Sequence, residues 1–175
     1  MKKRGTRVVM VRNRSEAVEA MRAAAMSGNS LMIVSPPGAA LFAGPIWFRA
    51  LVRATRAESG VDADVIFVLD CGEAPGAALA AIRARVEAIA FRGKEPIRAR
   101  IATIARRAGV AMHAPPMDAF DMTRNHGSEA LLAWFSSPEA SLQSLRRSAK
   151  RTATRSPAPK ARSRAKNPAT GANRP

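Results

Sequence analysis

Short apolar runs alternate with helix-forming segments along this chain, and that alternation constrains the fold more than any other feature of the sequence. The runs are rich in Val, Ile, Leu and Ala, which is typical of strands buried on both sides. Near-continuous apolar strands joined by helices predict an α/β fold whose mostly parallel sheet is covered on both faces. Strands are predicted at 6–13, 31–35, 64–70, 87–91 and 110–114, and helices at 16–27, 45–58 and 75–85, from Pro96 to Gly109, and from Ser128.

Local start and stop signals agree with this division of the chain. Ser15 is a predicted N-cap, Gly28 a helix stop and Pro45 the first residue of a helix. Five strand–helix units are too few for a closed eight-stranded barrel. Residues 1–147 are therefore predicted to form an open three-layer sandwich with about five mostly parallel strands, Rossmann-like or flavodoxin-like. Helical spacing predicts two inward-facing apolar stripes, one of Ile46, Trp47, Ala50, Leu51 and Ala54 and one of Ile97, Ile101, Ile104 and Ala105.

Positive charge is concentrated at the C-terminal end of the sequence. The chain has 29 Lys and Arg against 13 Asp and Glu, a net charge of +16, and its last acid is Glu139. Ten basic residues follow Glu139, which leaves 19 basic and 13 acidic residues, a charge of +6, in 1–139. Residues 148–175 contain no aliphatic side chain larger than alanine, so they are predicted to form a disordered tail.

The composition of that tail, with "SPAPK" at 156–160, resembles the tails of linker histones. It predicts contact with a polyanion, by default nucleic acid, through neutralisation of phosphates without readout of bases. Anionic lipid or an acidic protein is the alternative partner. The predicted polyanion-binding residues are Arg146, Arg147, Lys150, Arg151, Arg155, Lys160, Arg162, Arg164 and Lys166.

Three features bear on the cellular compartment. Cys71 is the sole cysteine of the sequence, so an intrachain disulfide is excluded and a reducing cytoplasm fits best. Pro36, Pro37 and Pro45 interrupt the apolar stretch 31–48, which argues against a membrane span. The apolar run that follows the N-terminal basic residues is too short for a signal peptide. We therefore expect a cytoplasmic protein.

Basic residues follow two of the predicted strands, at the edge where open parallel sheets bind ligands. Arg12 and Arg14 follow the first strand, and Arg92 and Lys94 follow the fourth. If these strands are neighbours, the four cations meet and hold an anionic small ligand. The alternative is that they are solvated charges flanking the strands.

The loop after the second strand is rich in small residues. Gly38 and Gly44 leave backbone N–H groups accessible to a phosphate, and the alternative is a plain loop. The loop matches neither nucleotide-binding fingerprint, and no cofactor is predicted. His113, His126 and Cys71 share no ligand spacing, so no metal site is predicted.

The segment "DCGEAPG" that follows the third strand has two interpretations. In the first, Asp70 is a catalytic acid or base, or Cys71 is a nucleophile, at the start of a helix whose dipole favours their ionised forms, with Glu73 beside them. In the second, Asp70 satisfies backbone N–H groups of the turn and Cys71 packs as a small hydrophobic residue. A cysteine nucleophile normally needs a histidine base, and neither histidine has diagnostic spacing.

The stretch 67–83, "FVLDCGEAPGAALAAIR", resembles the phospho-acceptor segment of bacterial response-regulator receiver domains. The likeness consists of an apolar strand that ends in Asp70, then Pro75 and Gly76, then a helix. It implies a receiver-like regulatory domain. Receivers also carry an acidic pair after the first strand, a Ser or Thr after the fourth and a Lys-Pro after the fifth. This chain has Arg12-Asn13-Arg14, Phe91-Arg92-Gly93 and Ala114-Pro115 at those places.

Three functions are consistent with these features. The first is a binding or interaction module whose α/β body takes a small ligand and whose tail contacts nucleic acid or another polyanion. The second is a small enzyme that uses Asp70 or Cys71 on an anionic substrate. The third is a degenerate receiver-like domain.

Overall fold

The computed structural model of the chain describes residues 4–115, 119–123 and 128–137. The predicted tail, 148–175, lies outside the described residues, as do the nine polyanion-binding positions. The strands are β1 (Arg4–Met10), β2 (Asn29–Val34), β3 (Val65–Asp70), β4 (Ala88–Ala90), β5 (Ala111–His113) and β6 (Phe120–Asp121). The helices are α1 (Arg14–Ser27), α2 (Ala39–Phe42), α3 (Gly44–Ser59), α4 (Pro75–Arg83), α5 (Glu95–Arg107) and α6 (Ser128–Ser136).

The six strands form one sheet in the order β5-β4-β3-β2-β1-β6, and every neighbouring pair is parallel. The predicted α/β class and parallel sheet are confirmed, with six strands in place of about five. The additional strand, β6, has only two residues and lies in the Pro- and Met-rich connection after β5. A pairing this short leaves no apolar period in the sequence, which is why no strand was predicted there.

Each step from β1 to β5 moves the chain to the next position in the same direction across the sheet. Right-handed connections made in one direction place their helices on one face. The packing agrees, because α1 contacts α3, α3 contacts α4, α4 contacts α5, and α6 contacts α1. The described helices and the sheet therefore form two layers, and the third layer of the predicted sandwich is not found among the described residues. This order matches neither of the common doubly wound orders, 3-2-1-4-5-6 and 2-1-3-4-5.

The two faces of the sheet have separate apolar clusters. The larger cluster joins alternate strand residues such as Val9, Ile33 and Phe67 to the buried side chains of the helices. The smaller cluster on the opposite face is built on Val34, Val68, Ala88 and Ala90, and no described helix contributes to it. Side chains alternate between faces along a strand, so Asp70 projects on the second face and Cys71 into the helix-covered core.

Helix α1 begins at Arg14, two residues before the start predicted at residue 16. Asn13, not Ser15, is its N-cap: the Asn13 side chain accepts a hydrogen bond from the Glu16 N–H at 2.9 Å. The Asn13 amide also donates to the Glu16 carboxylate at 2.9 Å, which makes a reciprocal cap of the kind that fixes a helix start. The predicted stop is confirmed, because Gly28 ends the helix with φ of 64°.

The predicted apolar stripe of α3 is wrong in phase, although its member Leu51 is buried as predicted. Phe48, Leu51, Thr55 and Ser59 are the buried positions, while Ile46 is 69% exposed and Trp47 39% exposed. Pro45 lies in the first turn as predicted, but the preceding loop contains the short helix α2, whose Leu41 and Phe42 are also exposed. The corner between α2 and α3 therefore presents four large apolar side chains to solvent.

Helix α5 follows its prediction in part. Ile101 and Ala105 are buried as expected, whereas Ile97 and Ile104 are half exposed. The helix lies over β4 and β5 at the end of the sheet and packs against α4 on one side only, so its outer flank has no neighbouring helix among the described residues. No described helix is both long enough and apolar enough to cross a bilayer.

Candidate functional site

The carboxyl ends of β2, β3 and β4 meet at a single carboxylate. Asp70 Oδ1 accepts hydrogen bonds from the Gly38 N–H at 2.8 Å and the Gly72 N–H at 2.8 Å, and from Arg92 Nη2 at 3.1 Å. The Asp70 N–H in turn donates to the Ser35 hydroxyl at 2.9 Å. We call Ser35, Gly38, Asp70, Gly72 and Arg92 the Asp70 junction.

Backbone contacts tighten this junction. The Arg92 N–H donates to the Gly72 carbonyl at 2.9 Å, and the Cys71 N–H donates to the Ala90 carbonyl at 2.9 Å. Gly72 has φ of 56°, and a Cβ placed on it would come within 3.8 Å of the Gly38 Cα. Glycine suits this position because the backbone is left-handed, and a side chain there would be strained although the space would admit a Cβ. Three loops that are distant in sequence are thus held by one buried side chain.

The junction favours the structural interpretation of Asp70. The carboxylate is 4% exposed and already carries three donors on one oxygen, including the guanidinium that neutralises its charge. It satisfies the turn N–H of Gly72, as the second interpretation expected, and it also binds Gly38 and Arg92. A catalytic acid or base must exchange protons with a substrate, and this engagement argues against that role.

Cys71 is a core residue. Its side chain is fully buried in the larger apolar cluster, and Sγ–H donates to the Leu69 carbonyl at 3.6 Å. Burial, followed by the nearby negative charge of Asp70, raises the pKa of the Cys71 thiol to about 12. A nucleophile must be a thiolate near neutral pH, so the structure argues against the cysteine alternative.

The buried thiol predicts a specific loss of stability at high pH. The unfolded chain loses the Cys71 proton above about pH 8.5, whereas the folded chain keeps it until about pH 12. The free energy of unfolding therefore does not depend on this thiol below about pH 8.5. Above that pH it falls by up to about 1.4 kcal/mol per pH unit. Urea unfolding at pH 8 to 11 measures the effect. Between pH 9 and 11, the free energy of unfolding should decline by about 2 kcal/mol less in Cys71→Ala than in the unsubstituted protein. Equal slopes in the two proteins would contradict a buried, protonated thiol.

The predicted four-cation site does not form. β1 and β4 are separated by β2 and β3, so Arg12 and Arg92 follow strands about 14 Å apart. Arg12 donates to both carboxylate oxygens of Asp121, at 2.6 and 3.0 Å, and to the Thr123 hydroxyl at 2.6 Å. The hydrogen bond to Asp121 raises the pKa of the Arg12 guanidinium further above its usual value. Arg14 Nε lies 2.7 Å from Glu58 on α3.

The remaining predicted ligand-binding residues occupy separate places. The Gly38 N–H is already bound to Asp70, so it is not open to a phosphate. Gly44 has φ of 81° at the start of α3, where it lets the chain turn from α2. Glu73 and Lys94 are exposed, and no hydrogen bond or ion pair is found for the side chain of either among the described residues.

A cavity of about 340 Å³ opens beside the junction, at the carboxyl ends of β4 and β5. Arg92 and Arg98 line its wall, and each is paired with an acid, Arg92 with Asp70 and Arg98 with Glu95. Gly93 also lines it, and a Cβ there would lie 2.2 Å from the Phe91 ring, so no larger residue fits without a shift of that ring. The small anionic ligand expected at this edge stays a prediction, and this cavity is where it would fit.

Some of these residues were absent from the sequence prediction. Ser35 comes directly after β2, and Asp70 is the last residue of β3. Arg98 lies on α5, three residues after Glu95. Parallel neighbours end at one edge, so the Ser35 position would have been deducible had the β2–β3 pairing been known. Arg98 falls on the exposed first turns of α5, where a charged side chain carries no local signal of a cavity.

No group of three or more potential metal-ligating side chains occurs among the described residues. His113 ends β5, and its Nε2 is buried without a hydrogen-bond partner in that part of the chain. His126 lies outside the described ranges. The two histidines therefore give no metal site in what the structure describes.

Comparisons with known proteins bear on the fold. No protein-family model matches the chain, and no curated protein matches it. The crystal structure of a "putative fructose-1,6-biphosphate aldolase from Coccidioides immitis" is similar, with a TM-score of 0.51 and 18% sequence identity. The match covers 75% of this chain and 52% of that one, so the chain spans about half the length of the aldolase. At this identity, the likeness establishes a shared α/β fold.

Proposed function

We propose that this protein is a nucleic-acid-binding α/β module whose basic C-terminal segment holds the polyanion without reading its bases. The observation that carries the proposal is the separation of charge along the sequence: ten basic residues and no acid follow Glu139. Such a segment gains affinity by releasing the counterions condensed on phosphates, a contribution that depends on charge and not on sequence.

The surface of the α/β body supports the proposal. Arg100, Arg106 and Arg107 of α5 are exposed, and no ion pair or hydrogen bond is found for their side chains among the described residues. Arginines left unpaired on an outer helix are available to phosphates. Any contact that they make adds to that of the tail, and we expect the tail to dominate because it has more charges and fewer neighbouring acids.

The other two functions have weaker support. Asp70 is occupied by three donors and Cys71 is buried, so the enzymatic alternative lacks the groups on which it was based. In receiver domains the strand order is 2-1-3-4-5, with the first strand between the second and third. Here β1 lies between β2 and β6, which argues against the receiver-like alternative.

The test is binding to a fluorescently labelled DNA duplex, followed by fluorescence anisotropy at several salt concentrations. If about five tail charges contact phosphates, log K should fall against log salt with a slope near −4.5. A chain that ends at residue 147 should bind at least about tenfold more weakly at low salt, with a shallower slope. Two duplexes of unrelated sequence should bind the full chain equally, since no bases are read.

A matched control separates charge from chain length. Replacing the Lys and Arg residues of 148–175 with glutamine keeps the length and should reproduce the truncation. If the glutamine variant binds like the unsubstituted chain, or if truncation changes neither affinity nor slope, the tail is not the binding element and the proposal is wrong.

A further inference from the structure

A second concave feature lies on the helix-covered side of the molecule, between α3 and the turn from α4 to β4. This groove encloses about 270 Å³, and we call it the α3–α4 groove. Four arginines line it, Arg49, Arg53, Arg56 and Arg85, together with one acid, Glu87. It is separate from the Asp70 junction, because it lies at the amino ends of β3 and β4 and the junction lies at their carboxyl ends. Arg56 binds Val65, the first residue of β3, and Glu87 directly precedes β4.

Two of the four guanidinium groups are held in place by the fold. Arg56 Nη2 donates to Glu87 at 2.9 and 3.1 Å and to the Val65 carbonyl at 3.3 Å. Arg85 Nη1 donates to the Ala108 carbonyl, at the end of α5, at 3.1 Å. Arg56 and Glu87 neutralise each other, so the remaining three arginines give the groove a positive charge.

The other two guanidinium groups have no such anchor. Arg49 and Arg53 lie one turn apart on α3, both side chains are exposed, and neither has a hydrogen bond or ion pair with another described residue. A pair at this spacing points in the same direction from the helix surface. Arginine forks match the oxygens of a phosphate bidentately, so the pair is suited to hold one phosphate group at the rim.

The floor of the groove is apolar. It is formed by Phe48, which is buried, and by Val52 and Val86. A ligand that fills the groove therefore needs an apolar or aromatic body below its anionic group. The volume of about 270 Å³ is just below the usual range for ligand pockets, roughly 300–1,000 Å³, which limits the ligand to a small molecule or one nucleotide unit.

The backbone at Arg85 is strained. Its φ is 56°, and it is the one non-glycine residue with positive φ among the described residues. The corresponding turns after α1, α3 and α5 use Gly28, Gly60 and Gly109, each left-handed. Glycine would relieve the strain after α4 as well, so the arginine side chain occupies this turn at a conformational cost of the kind found at functional sites.

We propose that the α3–α4 groove binds a small phosphomonoester with an aromatic or apolar body, of which a nucleoside monophosphate is the type. Arg49 and Arg53 hold the phosphate, Arg85 adds charge from the opposite wall, and the body packs on Phe48, Val52 and Val86. All of the residues that form this site belong to the described α/β body.

Calorimetric titration of the full chain with adenosine monophosphate at about 50 mM salt, where screening is weak, tests the proposal. One site per chain is expected, with adenosine and inorganic phosphate each binding at least about tenfold more weakly than the monophosphate. The double variant Arg49→Gln, Arg53→Gln should lose about tenfold or more in affinity. Absence of a single saturable site, or equal binding of adenosine, overturns the proposal.

Two further variants exclude trivial explanations. The double variant Arg83→Gln, Lys94→Gln removes the same charge from exposed positions outside the groove and should leave the affinity unchanged; an equal loss would mean nonspecific attraction and overturn the site. Arg85→Gly should weaken binding several-fold while the thermal midpoint stays the same or rises, since glycine relieves the strained backbone. Unchanged binding in Arg85→Gly would remove that residue from the site. If a short oligonucleotide competes with adenosine monophosphate, the phosphate that the groove binds belongs to a nucleic acid. If it does not compete, the ligand is a free phosphomonoester.

Discussion

Replacing Asp70 with alanine is expected to destabilise the folded chain by about 3 kcal/mol. The substitution removes the acceptor of three hydrogen bonds, from the Gly38 and Gly72 N–H groups and from Arg92 Nη2. The two N–H groups would then lack a partner in a confined space, and each such group costs about 1–3 kcal/mol. Arg92 is 37% exposed and recovers part of its loss through water, so its share is the smallest.

Urea unfolding monitored by far-UV circular dichroism measures the effect. Asp62 supplies the matched control, because it is an exposed acid for which no partner is found among the described residues, and Asp62→Ala should change stability by less than about 0.5 kcal/mol. Asp70→Asn keeps one acceptor oxygen and should fall between the two. If Asp70→Ala were no more harmful than Asp62→Ala, the junction would not be what holds the three loops, and a role for Asp70 in chemistry would regain support.

The fold class followed from the sequence because each element has a local cause. Gly28 ends α1 through a left-handed residue, and Pro45 occupies the first turn of α3, where a missing N–H costs nothing. The apolar runs of β2 and β3 are continuous, which is typical of parallel strands. None of these signals depends on which strands are neighbours.

The site depended on strand order, which local signals do not contain. Arg12 and Arg92 each follow a strand, as expected, but the order places two strands between them. Arg12 then pairs with Asp121, which belongs to a strand too short to predict. Asp70 stands out in the sequence, yet its partners Gly38 and Arg92 come from loops 32 and 22 residues away. A sequence alone gives no reason to join those three loops.

Helix α3 shows how a local pattern can mislead. Apolar side chains occur on both sides of this helix, so the spacing of Ile46, Trp47 and Leu51 is as regular as that of the buried positions. The buried side includes Thr55 and Ser59, two small polar residues that weaken the apolar signal there. Ser59 binds the Arg56 carbonyl at 3.1 Å, which reduces the cost of its burial. The contact with α1, and not the hydropathy of the sequence, therefore determines which side of α3 is buried.

The phase of α3 leads to a second large prediction, made on adjacent residues. Phe48→Ala should destabilise the fold by about 3–4 kcal/mol, because Phe48 is 1% exposed within the larger apolar cluster. Trp47→Ala removes a larger side chain but should cost less, about 1–2 kcal/mol, since Trp47 is 39% exposed and lies outside that cluster. Both variants retain a helix-favouring residue, so helix propensity is not the cause of any difference.

Urea unfolding of the two variants distinguishes the observed phase from the predicted one. The phase predicted from the sequence buries Trp47 and leaves Phe48 on the outer side of the helix. It therefore requires Trp47→Ala to lose more stability than Phe48→Ala. A larger loss in Trp47→Ala would mean that α3 is rotated by about 100° about its axis. Such a rotation would also carry Arg49 and Arg53 away from the α3–α4 groove. The two stability measurements therefore test the scaffold on which the proposed phosphomonoester site depends, before any ligand is added.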